Sequence, residues 1–319
     1  MNQSKQAIVF PGQGSQKVGM GKDFFESSTI AENTYTEASD ALGYNVASVC
    51  FEENDQLNLT EYSQPCILAT EIAMYRVIDE RWGLAPHCFG GHSLGEYTAL
   101  VAAGVIPFGD ALRAVQARGR LMQKAAPVGM GGMAAIIRDS IDRKELAKII
   151  EDLPVDIANS NSSKQVVVSG EVKGLEEAER RLGEAWKDSG TYRFVSLTVS
   201  APFHSRFMKD IEAPFRDVLE GMKDSLSPGE ASRVTSNFSG AFHEPNSNAI
   251  IDRLVSQLSG TVRWTDNMAV IAGAADEILE IGPGRPLKDF FRTIDRACTS
   301  ITTLTAAERA FTDRESGSN

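Results

Sequence analysis

The sequence predicts an α/β protein in which a smaller β-α-β-β-α-β unit is inserted into a larger domain. Three observations support this fold class. The chain has 319 residues, which is enough for one large domain with an insertion. A short apolar strand followed by a glycine-rich turn occurs near the N-terminus and again near residue 90. Between residues 129 and 200, strand and helix patterns alternate in the order of the smaller unit.

The large domain is predicted to begin with a strand and three helices. Their apolar residues recur with the period of each element, and Pro65 and Gly83 mark the ends of the first helix. In chain order, these elements are a strand at residues 7–10, a helix at 66–82, a helix at 97–103 and a helix at 110–125.

The inserted unit has the ferredoxin-like order of four strands and two helices. They are predicted at residues 133–137 (strand), 143–153 (helix), 155–158 (strand), 165–169 (strand), 175–186 (helix) and 192–199 (strand). We therefore expect a large domain over residues 1–128 and 201–319 and a small one over residues 129–200. The large domain then continues with helices at 207–222 and 249–258 and a strand at 278–281.

The charge and hydropathy of the chain exclude two broad classes of partner. The sequence has 32 Lys and Arg against 43 Asp and Glu, a net charge of −11, whereas a general nucleic-acid binder is basic. The longest apolar stretch, residues 99–108, is shorter than the roughly 20 residues that span a membrane. Residues 7–10 are too short for a signal-peptide core. We therefore expect a cytoplasmic protein that binds neither nucleic acid nor membrane.

The cysteines indicate neither a zinc site nor a disulfide framework. They are widely separated and lack C-x-x-C spacing, so buried free thiols are expected. They are Cys50, Cys66, Cys88 and Cys298.

Residues 91–95 (GHSLG) match the G-x-S-x-G pattern of a nucleophile elbow. In such a turn, glycines let the backbone fold sharply between a strand and a helix. The serine, here Ser93, then lies at the helix N-terminus, where amides and the helix dipole stabilise an oxyanion. The same pattern also occurs in ordinary loops, but the predicted strand before it and helix after it favour the elbow.

A serine nucleophile needs a base, and the chain offers four histidines. His92 adjoins Ser93 and is expected to point elsewhere, and His87 precedes the elbow. His243 lies in a polar segment, where a solvated histidine is expected. The sequence favours His204, which follows the last strand of the inserted unit in a turn that contains proline.

Arg118 lies on the apolar stripe of the helix at 110–125. A buried guanidinium needs a partner, and its planar fork suits a carboxylate. That carboxylate belongs either to an Asp or Glu of the chain or to a substrate. The glycine-rich turn at residues 12–16 is not a dinucleotide or phosphate loop, since Lys17 replaces the last glycine and no G-K-[ST] follows. A backbone amide of this turn is a candidate second oxyanion donor.

Five motifs in this chain together resemble those of malonyl-CoA:acyl carrier protein transacylases, in the same order and at similar spacing. The resemblance covers the chain from Ala7 to about Leu304. It implies an α/β-hydrolase-like large subdomain that carries the ferredoxin-like small one. The motifs are FPGQGSQ (10–16), GHSLGE (91–96), RGRLMQ (118–123), APFH (201–204) and EIGPG (280–284).

The resemblance assigns the catalytic roles position by position. Ser93 would be the acyl-accepting nucleophile and His204 its base, without a carboxylate partner. Gln257 matches the glutamine whose main-chain carbonyl orients the histidine. The backbone amides of Gln13 and Leu94 would form the oxyanion hole.

Substrate recognition follows from the same resemblance. Arg118 would bind the malonyl carboxylate, and Asn159 and Asn161 would lie near the substrate channel. Phe203 resembles the residue that accompanies malonyl rather than methylmalonyl in multidomain relatives, since its ring would crowd an α-methyl group.

The resemblance implies ping-pong transfer of malonyl from malonyl-CoA, through a serine ester, to the phosphopantetheine thiol of acyl carrier protein. Coenzyme A thioester is then a substrate, no cofactor is bound permanently, no metal is expected, and we expect a monomer. The carrier belongs to fatty acid or polyketide synthesis. The alternatives are a serine esterase or thioester hydrolase that edits carriers, which has no need of Arg118, and a noncatalytic docking subunit.

Overall fold

The computed structural model describes residues 4–127, 129–187, 190–199 and 201–316. Its strands are β1 (Gln6–Phe10), β2 (Pro86–Gly91), β3 (Gly131–Arg138), β4 (Val155–Ser160), β5 (Gln165–Glu171), β6 (Tyr192–Ser196), β7 (Glu277–Ile281) and β8 (Thr299–Ile301). Its helices are α1 (Lys22–Ser27), α2 (Thr29–Leu42), α3 (Val46–Phe51), α4 (Thr60–Trp82), α5 (Gly95–Ala102), α6 (Phe108–Lys124), α7 (Arg143–Ile149), α8 (Val172–Ala185), α9 (Glu212–Glu220), α10 (Ser247–Ser259), α11 (Trp264–Ala274), α12 (Pro286–Arg292) and α13 (Leu304–Ser316).

A parallel sheet with strand order β2-β1-β7-β8 forms the centre of the large domain. Both faces of β1 are buried, since Ile8 and Phe10 pack into one apolar cluster and Ala7 and Val9 into another. This is the period of two expected for a strand covered by helices on both faces. In the β1–β2 register, Phe10 pairs with Gly91, so the two glycine-rich turns leave the sheet side by side.

The second sheet is antiparallel, with strand order β4-β5-β3-β6. One of its faces packs on α7 and α8, where Ile136, Val166 and Leu182 belong to one buried cluster. The intervening strand residues, such as Ala135 and Val167, pack against the core of the large domain instead. The small domain therefore presents one sheet face to the large domain.

The edge strand β4 joins the two domains through backbone hydrogen bonds. The Ser160 amide donates to the Val262 carbonyl (2.9 Å), and the Val262 amide donates to the Ala158 carbonyl (2.8 Å). The Arg206 guanidinium also pairs with Asp156 at 2.6 Å. These contacts fix the position of the small domain at the side of the parallel sheet that carries the glycine-rich turns.

Two of the predicted helices differ from the structure at a proline. Helix α4 begins at Thr60, so Pro65 lies inside it. Proline has no N–H, so one helix hydrogen bond is lost at this position. The turn before Pro65 stays helical and is buried, with Ser63 and Gln64 in the interior. The helix predicted at 207–222 is a 3-10 turn (Arg206–Ile211) followed by α9. Pro214 in the first turn of α9 explains the break, since it cannot donate a hydrogen bond to an earlier turn.

Other predictions concern burial and boundaries. The four cysteines are buried free thiols, as predicted. Among the described residues, no helix is long and apolar enough to cross a membrane. The predicted domain boundaries at residues 128 and 200 lie outside the described residues.

Candidate active site

Ser93 lies in a sharp turn between β2 and α5 whose geometry depends on two glycines. A Cβ at Gly91 would be 1.9 Å from the Gly95 carbonyl oxygen, and a Cβ at Gly95 would be 2.2 Å from the Phe10 carbonyl oxygen. Ser93 itself has φ 52°, a left-handed conformation that costs a non-glycine residue about 1–3 kcal/mol. The G-x-S-x-G spacing is therefore required by backbone crowding, and the turn lifts the serine above the helix N-terminus.

Two buried amide side chains hold the strained turn. Asn237 accepts a hydrogen bond from the Ser93 amide through Oδ1 (2.6 Å) and donates one through Nδ2 to the Gly91 carbonyl (2.8 Å). The side chain of Gln257 donates to the Ser93 carbonyl at 3.0 Å. Neither contact is visible in the sequence, because more than 140 positions separate the partners.

His204 is the histidine that reaches Ser93. Its Nε2 lies 2.7 Å from the Ser93 Oγ, and its Nδ1 lies 2.8 Å from the Gln257 main-chain carbonyl. A carbonyl can only accept, so Nδ1 carries the proton and the Nε2 lone pair faces the serine hydroxyl. His204 also has a left-handed backbone, with φ 55°.

Burial keeps His204 neutral. Burial is the largest cause that lowers the pKa of His204, to about 3, and the nearby positive charge of Arg118 lowers it further. The hydrogen bond to the Gln257 carbonyl acts in the opposite direction. At neutral pH the imidazole is therefore an acceptor ready for the Ser93 proton.

Arg118 of α6 is 1% exposed and approaches the same serine. Its Nη2 donates to the Ser93 Oγ at 3.1 Å and to the Gln257 Oε1 at 2.9 Å, and its Nη1 donates to the Gln64 Oε1 at 2.9 Å. Within the described ranges, no Asp or Glu forms an ion pair with Arg118, and its Nε has no hydrogen-bond partner. Of the two partners that the sequence left open, the internal salt bridge is not formed.

A cavity of about 440 Å³ connects these groups and lies between the two domains. Arg118, Ser93 and His204 reach it from the large domain, and Asn159 and Asn161 line it from the small one. The remaining lining is Gly12, Gln13, Gly14, Ser15, Gln16, His92, Met122, Met133, Ala135, Gln165, Val167, Leu197, Thr198, Val199, Phe203, Pro286, Leu287 and Phe290.

The two backbone amides predicted for an oxyanion hole belong to residues that follow β1 and Ser93. Gln13 follows β1 and lines the cavity, and Leu94 lies at the N-terminus of α5 directly after the serine. In the part of the chain that the structure describes, no backbone hydrogen bond uses either amide. Helix N-termini favour negative charge at such positions.

The His92 side chain contacts Asn161 of the small domain rather than Ser93. Its Nε2 lies 2.7 Å from the Asn161 Oδ1, and the Asn161 Nδ2 donates to the Gln165 Oε1 at 2.8 Å. The amide assignment makes His92 the donor. This contact connects the elbow turn of the large domain to the β4–β5 connection of the small one.

The expectation that His243 is solvated is wrong. The residue is 3% exposed, and its Nε2 contacts the Glu96 Oε1 at 2.8 Å. The other Glu96 oxygen accepts from the Asn237 amide (3.0 Å) and from the Gln257 Nε2 (2.6 Å). The polar segment around His243 suggested exposure, but the Glu96 carboxyl in the first turn of α5 gives this histidine a buried hydrogen-bond partner.

Comparisons with known proteins identify relatives over most of the chain. Residues 7–284 match the family model described as "Acyl transferase domain". The chain is 40% identical over 307 residues to the malonyl CoA-acyl carrier protein transacylase of Escherichia coli K12, which covers 94% of each chain. It is 37% identical over 307 residues to the protein of the same name from Bacillus subtilis, covering 93% of each.

Solved structures give the same result for the fold. A malonyl CoA-acyl carrier protein transacylase from Clostridium perfringens superposes with a TM-score of 0.89 at 32% identity, covering 99% of this chain and 98% of that one. A type II PKS acyl-carrier protein in complex with its malonyl-transacylase matches with a TM-score of 0.87 at 36% identity, covering 97% of this chain and 100% of the other.

Proposed function

Since the chain belongs to the malonyl CoA-acyl carrier protein transacylase family, we propose that it transfers a malonyl group from malonyl-CoA to acyl carrier protein. The observation that carries the proposal is the Ser93–His204 pair at 2.7 Å beside an Arg118 that has no carboxylate partner in the described ranges. The pair supplies a nucleophile, and the arginine supplies a site for the acid group that distinguishes malonyl from acetyl.

In the first half-reaction, Ser93 becomes acylated. The Nε2 of His204 takes the hydroxyl proton as the Ser93 Oγ attacks the thioester carbonyl. The tetrahedral oxyanion is held by the amides of Gln13 and Leu94. The C–S bond then breaks, the imidazolium returns its proton to the leaving sulfur, and free coenzyme A departs from a malonyl-serine ester.

In the second half-reaction, the phosphopantetheine thiol of the carrier occupies the same path. His204 takes the thiol proton, the thiolate attacks the ester carbonyl, and the Ser93 oxygen leaves with the proton that His204 returns. No cofactor takes part in either step. The burial of His204 disfavours water as the acceptor, which favours transfer over hydrolysis.

Arg118 recognises the free carboxylate by position as well as charge. Its Nη2 is 3.1 Å from the Ser93 Oγ. In a malonyl ester, the carboxylate is separated from the ester carbonyl by a single carbon, so it comes within reach of this guanidinium. A bidentate contact would also satisfy the Nε that now lacks a partner.

The remaining site residues shape the cavity. Phe203 is buried and lines the cavity directly before His204, where its ring would crowd an α-methyl group on the acyl chain. Asn159 and Asn161 offer amide groups on the opposite wall, and we assign them to the substrate channel. Gln257 orients His204 through its carbonyl.

The finer description of the fold belongs to the same proposal. We assign residues 1–128 and 201–319 to an α/β-hydrolase-like catalytic subdomain and residues 129–200 to a ferredoxin-like one. The spatial order β6-β3-β5-β4 of the second sheet supports the latter assignment. We also propose that the protein acts as a monomer, since each chain holds both halves of the site.

The acidic chain needs a local basic surface to meet a carrier protein, which is itself acidic. Two candidate cations near the motifs are already paired, Arg206 with Asp156 and Lys209 with Glu212. In the described ranges, Arg285 and Lys288 are exposed and form no ion pair, and they flank cavity-lining residues at the start of α12. We assign carrier docking to these two.

Intact-mass measurement tests the proposal. Incubation with malonyl-CoA should add one malonyl group to the wild-type protein and none to Ser93→Ala; an adduct on the variant would disprove the assignment. A hydrolase would instead release free malonate at the same rate with and without holo acyl carrier protein. Charge reversal of Arg285 and Lys288 should slow transfer to the carrier without slowing acylation by malonyl-CoA.

A further inference from the structure

The buried guanidinium of Arg118 is positioned by uncharged oxygens. Gln64 and Gln257 each supply an amide Oε1 at 2.9 Å, and both side chains are fully buried. Buried arginines ordinarily pair with a carboxylate, because an uncompensated charge is costly away from water. Here the two amide oxygens contact Arg118 at ion-pair distances but carry no negative charge.

Gln257 separates Arg118 from the nearest acid of the network. Its Nε2 donates to the Glu96 Oε2 at 2.6 Å while its Oε1 accepts from Arg118. Glu96 also accepts hydrogen bonds from His243 and from the Asn237 amide. The acid is therefore engaged elsewhere, and an amide stands between the two charges.

The orientation of Gln64 is fixed on both sides. A guanidinium only donates, so the Gln64 Oε1 must face Arg118, and its Nε2 then faces the Gln13 Oε1 at 3.2 Å. Gln13 is the residue whose amide is assigned to the oxyanion hole. A glutamate at position 64 would have almost the same shape and would accept the same hydrogen bond from Arg118.

We infer that Gln64 determines specificity, because its neutral oxygen positions Arg118 while leaving the positive charge unpaired for the carboxylate of the acyl group. This inference rests on the proposed malonyl transfer. Gln64 acts through Arg118 and touches no reacting atom, so it is a positioning residue. Its neutrality matters as much as its hydrogen bond.

The test compares Gln64→Glu, Gln64→Met and the wild-type protein in single-turnover acylation of Ser93, followed by quenched intact-mass measurement. Malonyl-CoA and acetyl-CoA are used in parallel. Gln64→Glu should lower malonylation about a hundredfold, as expected for loss of a buried charge pair, and change acetylation less than about threefold. Gln64→Met keeps the length and neutrality but removes the oxygen that accepts from Arg118, so it should slow malonylation about tenfold and change acetylation less than about threefold.

The inference is overturned if Gln64→Glu keeps the wild-type ratio of malonylation to acetylation, or if it slows both substrates equally, as a purely structural role requires. Circular dichroism and thermal melting establish that each variant is folded. If Gln64→Glu does not fold, Gln64→Met still decides: a variant that slows malonylation and acetylation by the same factor, or slows neither, contradicts the inference. A wild-type protein that takes no malonyl group would instead refute the proposed function.

Discussion

The low pKa of His204 makes the pH dependence of Ser93 acylation a quantitative test of the site. The neutral imidazole is the reactive form in the proposed mechanism, and burial together with the charge of Arg118 lowers its pKa to about 3. At pH 5, a histidine of pKa 6.5 is only about 3% neutral, whereas one of pKa 3 is about 99% neutral. The acylation rate should therefore hardly change between pH 7.5 and 5, instead of falling about thirtyfold.

The assay uses acetyl-CoA, since an uncharged acyl group leaves Arg118 unpaired. Protein at pH 7.5 is mixed rapidly into buffers down to pH 5, and acetyl-Ser93 is quantified by quenched intact-mass measurement, with circular dichroism at each pH. Arg118→Met removes one cause of the low pKa of His204. In this variant the pH at which the acylation rate falls should therefore move up towards 6.5, while burial still holds the pKa of His204 below that value. Arg120→Met is the matched control, because this exposed arginine of the same helix pairs with Glu61. A thirtyfold fall in the folded wild-type protein would refute the reasoning.

Three further predictions concern selectivity and stability. Arg118→Met should slow malonylation of the protein about a hundredfold and slow acetylation far less, because a charge pair at about 4 Å contributes up to about 4 kcal/mol before desolvation is deducted; parallel single-turnover rates check this. Gly95→Ala should lower the melting temperature sharply, since its Cβ would lie 2.2 Å from the Phe10 carbonyl oxygen, while Gly273→Ala in α11 meets no atom within 4 Å and should be neutral or stabilising. Burial raises the pKa of the Glu71 carboxyl, so its folded form holds a proton that the unfolded chain has lost above about pH 4.5, and stability falls as pH rises; Glu71→Gln should raise the melting temperature more at pH 8 than at pH 5.

Local patterns in the sequence account for the elements that present the chemistry. Strand β1, the elbow turn and the order of the six elements in the small domain follow from apolar periods and from glycine and proline positions. The buried stripe of α6 likewise contains Arg118. These features depend on residues within a few positions of one another, which is the range over which periodicity carries information.

Elements without a local signal were not predicted. Strand β8 has three residues (Thr299–Ile301), too few for a period of two to show. Helix α11 is apolar on several sides because it packs between the parallel sheet and the small domain, so it lacks an amphipathic pattern. Gln64 was missed for a different reason: it lies near the start of α4, where the predicted helix had not yet begun.

The residues that hold the active site form a set that no local pattern reveals. Asn237 contacts Ser93 across 144 positions, and His243 contacts Glu96 across 147. A buried Asn or His has the same sequence surroundings as an exposed one, so only the tertiary contact decides its burial. The polar segment around His243 therefore predicted an exposed side chain, although Glu96 provides it with a buried partner.

The positions of backbone strain explain why these long-range buried contacts are needed. In the described ranges, the non-glycine residues with positive φ are Ser93, His204 and Asp295, and the first two are the proposed nucleophile and base. Each such conformation costs about 1–3 kcal/mol, so the pair stays aligned only if surrounding contacts over-determine it. Gln257 meets that need on both sides, since its side chain binds the Ser93 carbonyl and its main-chain carbonyl binds His204. The Gln257 Oε1 accepts from Arg118 without supplying a negative charge. One buried glutamine therefore both aligns the proposed nucleophile with its base and leaves the proposed carboxylate site of Arg118 open.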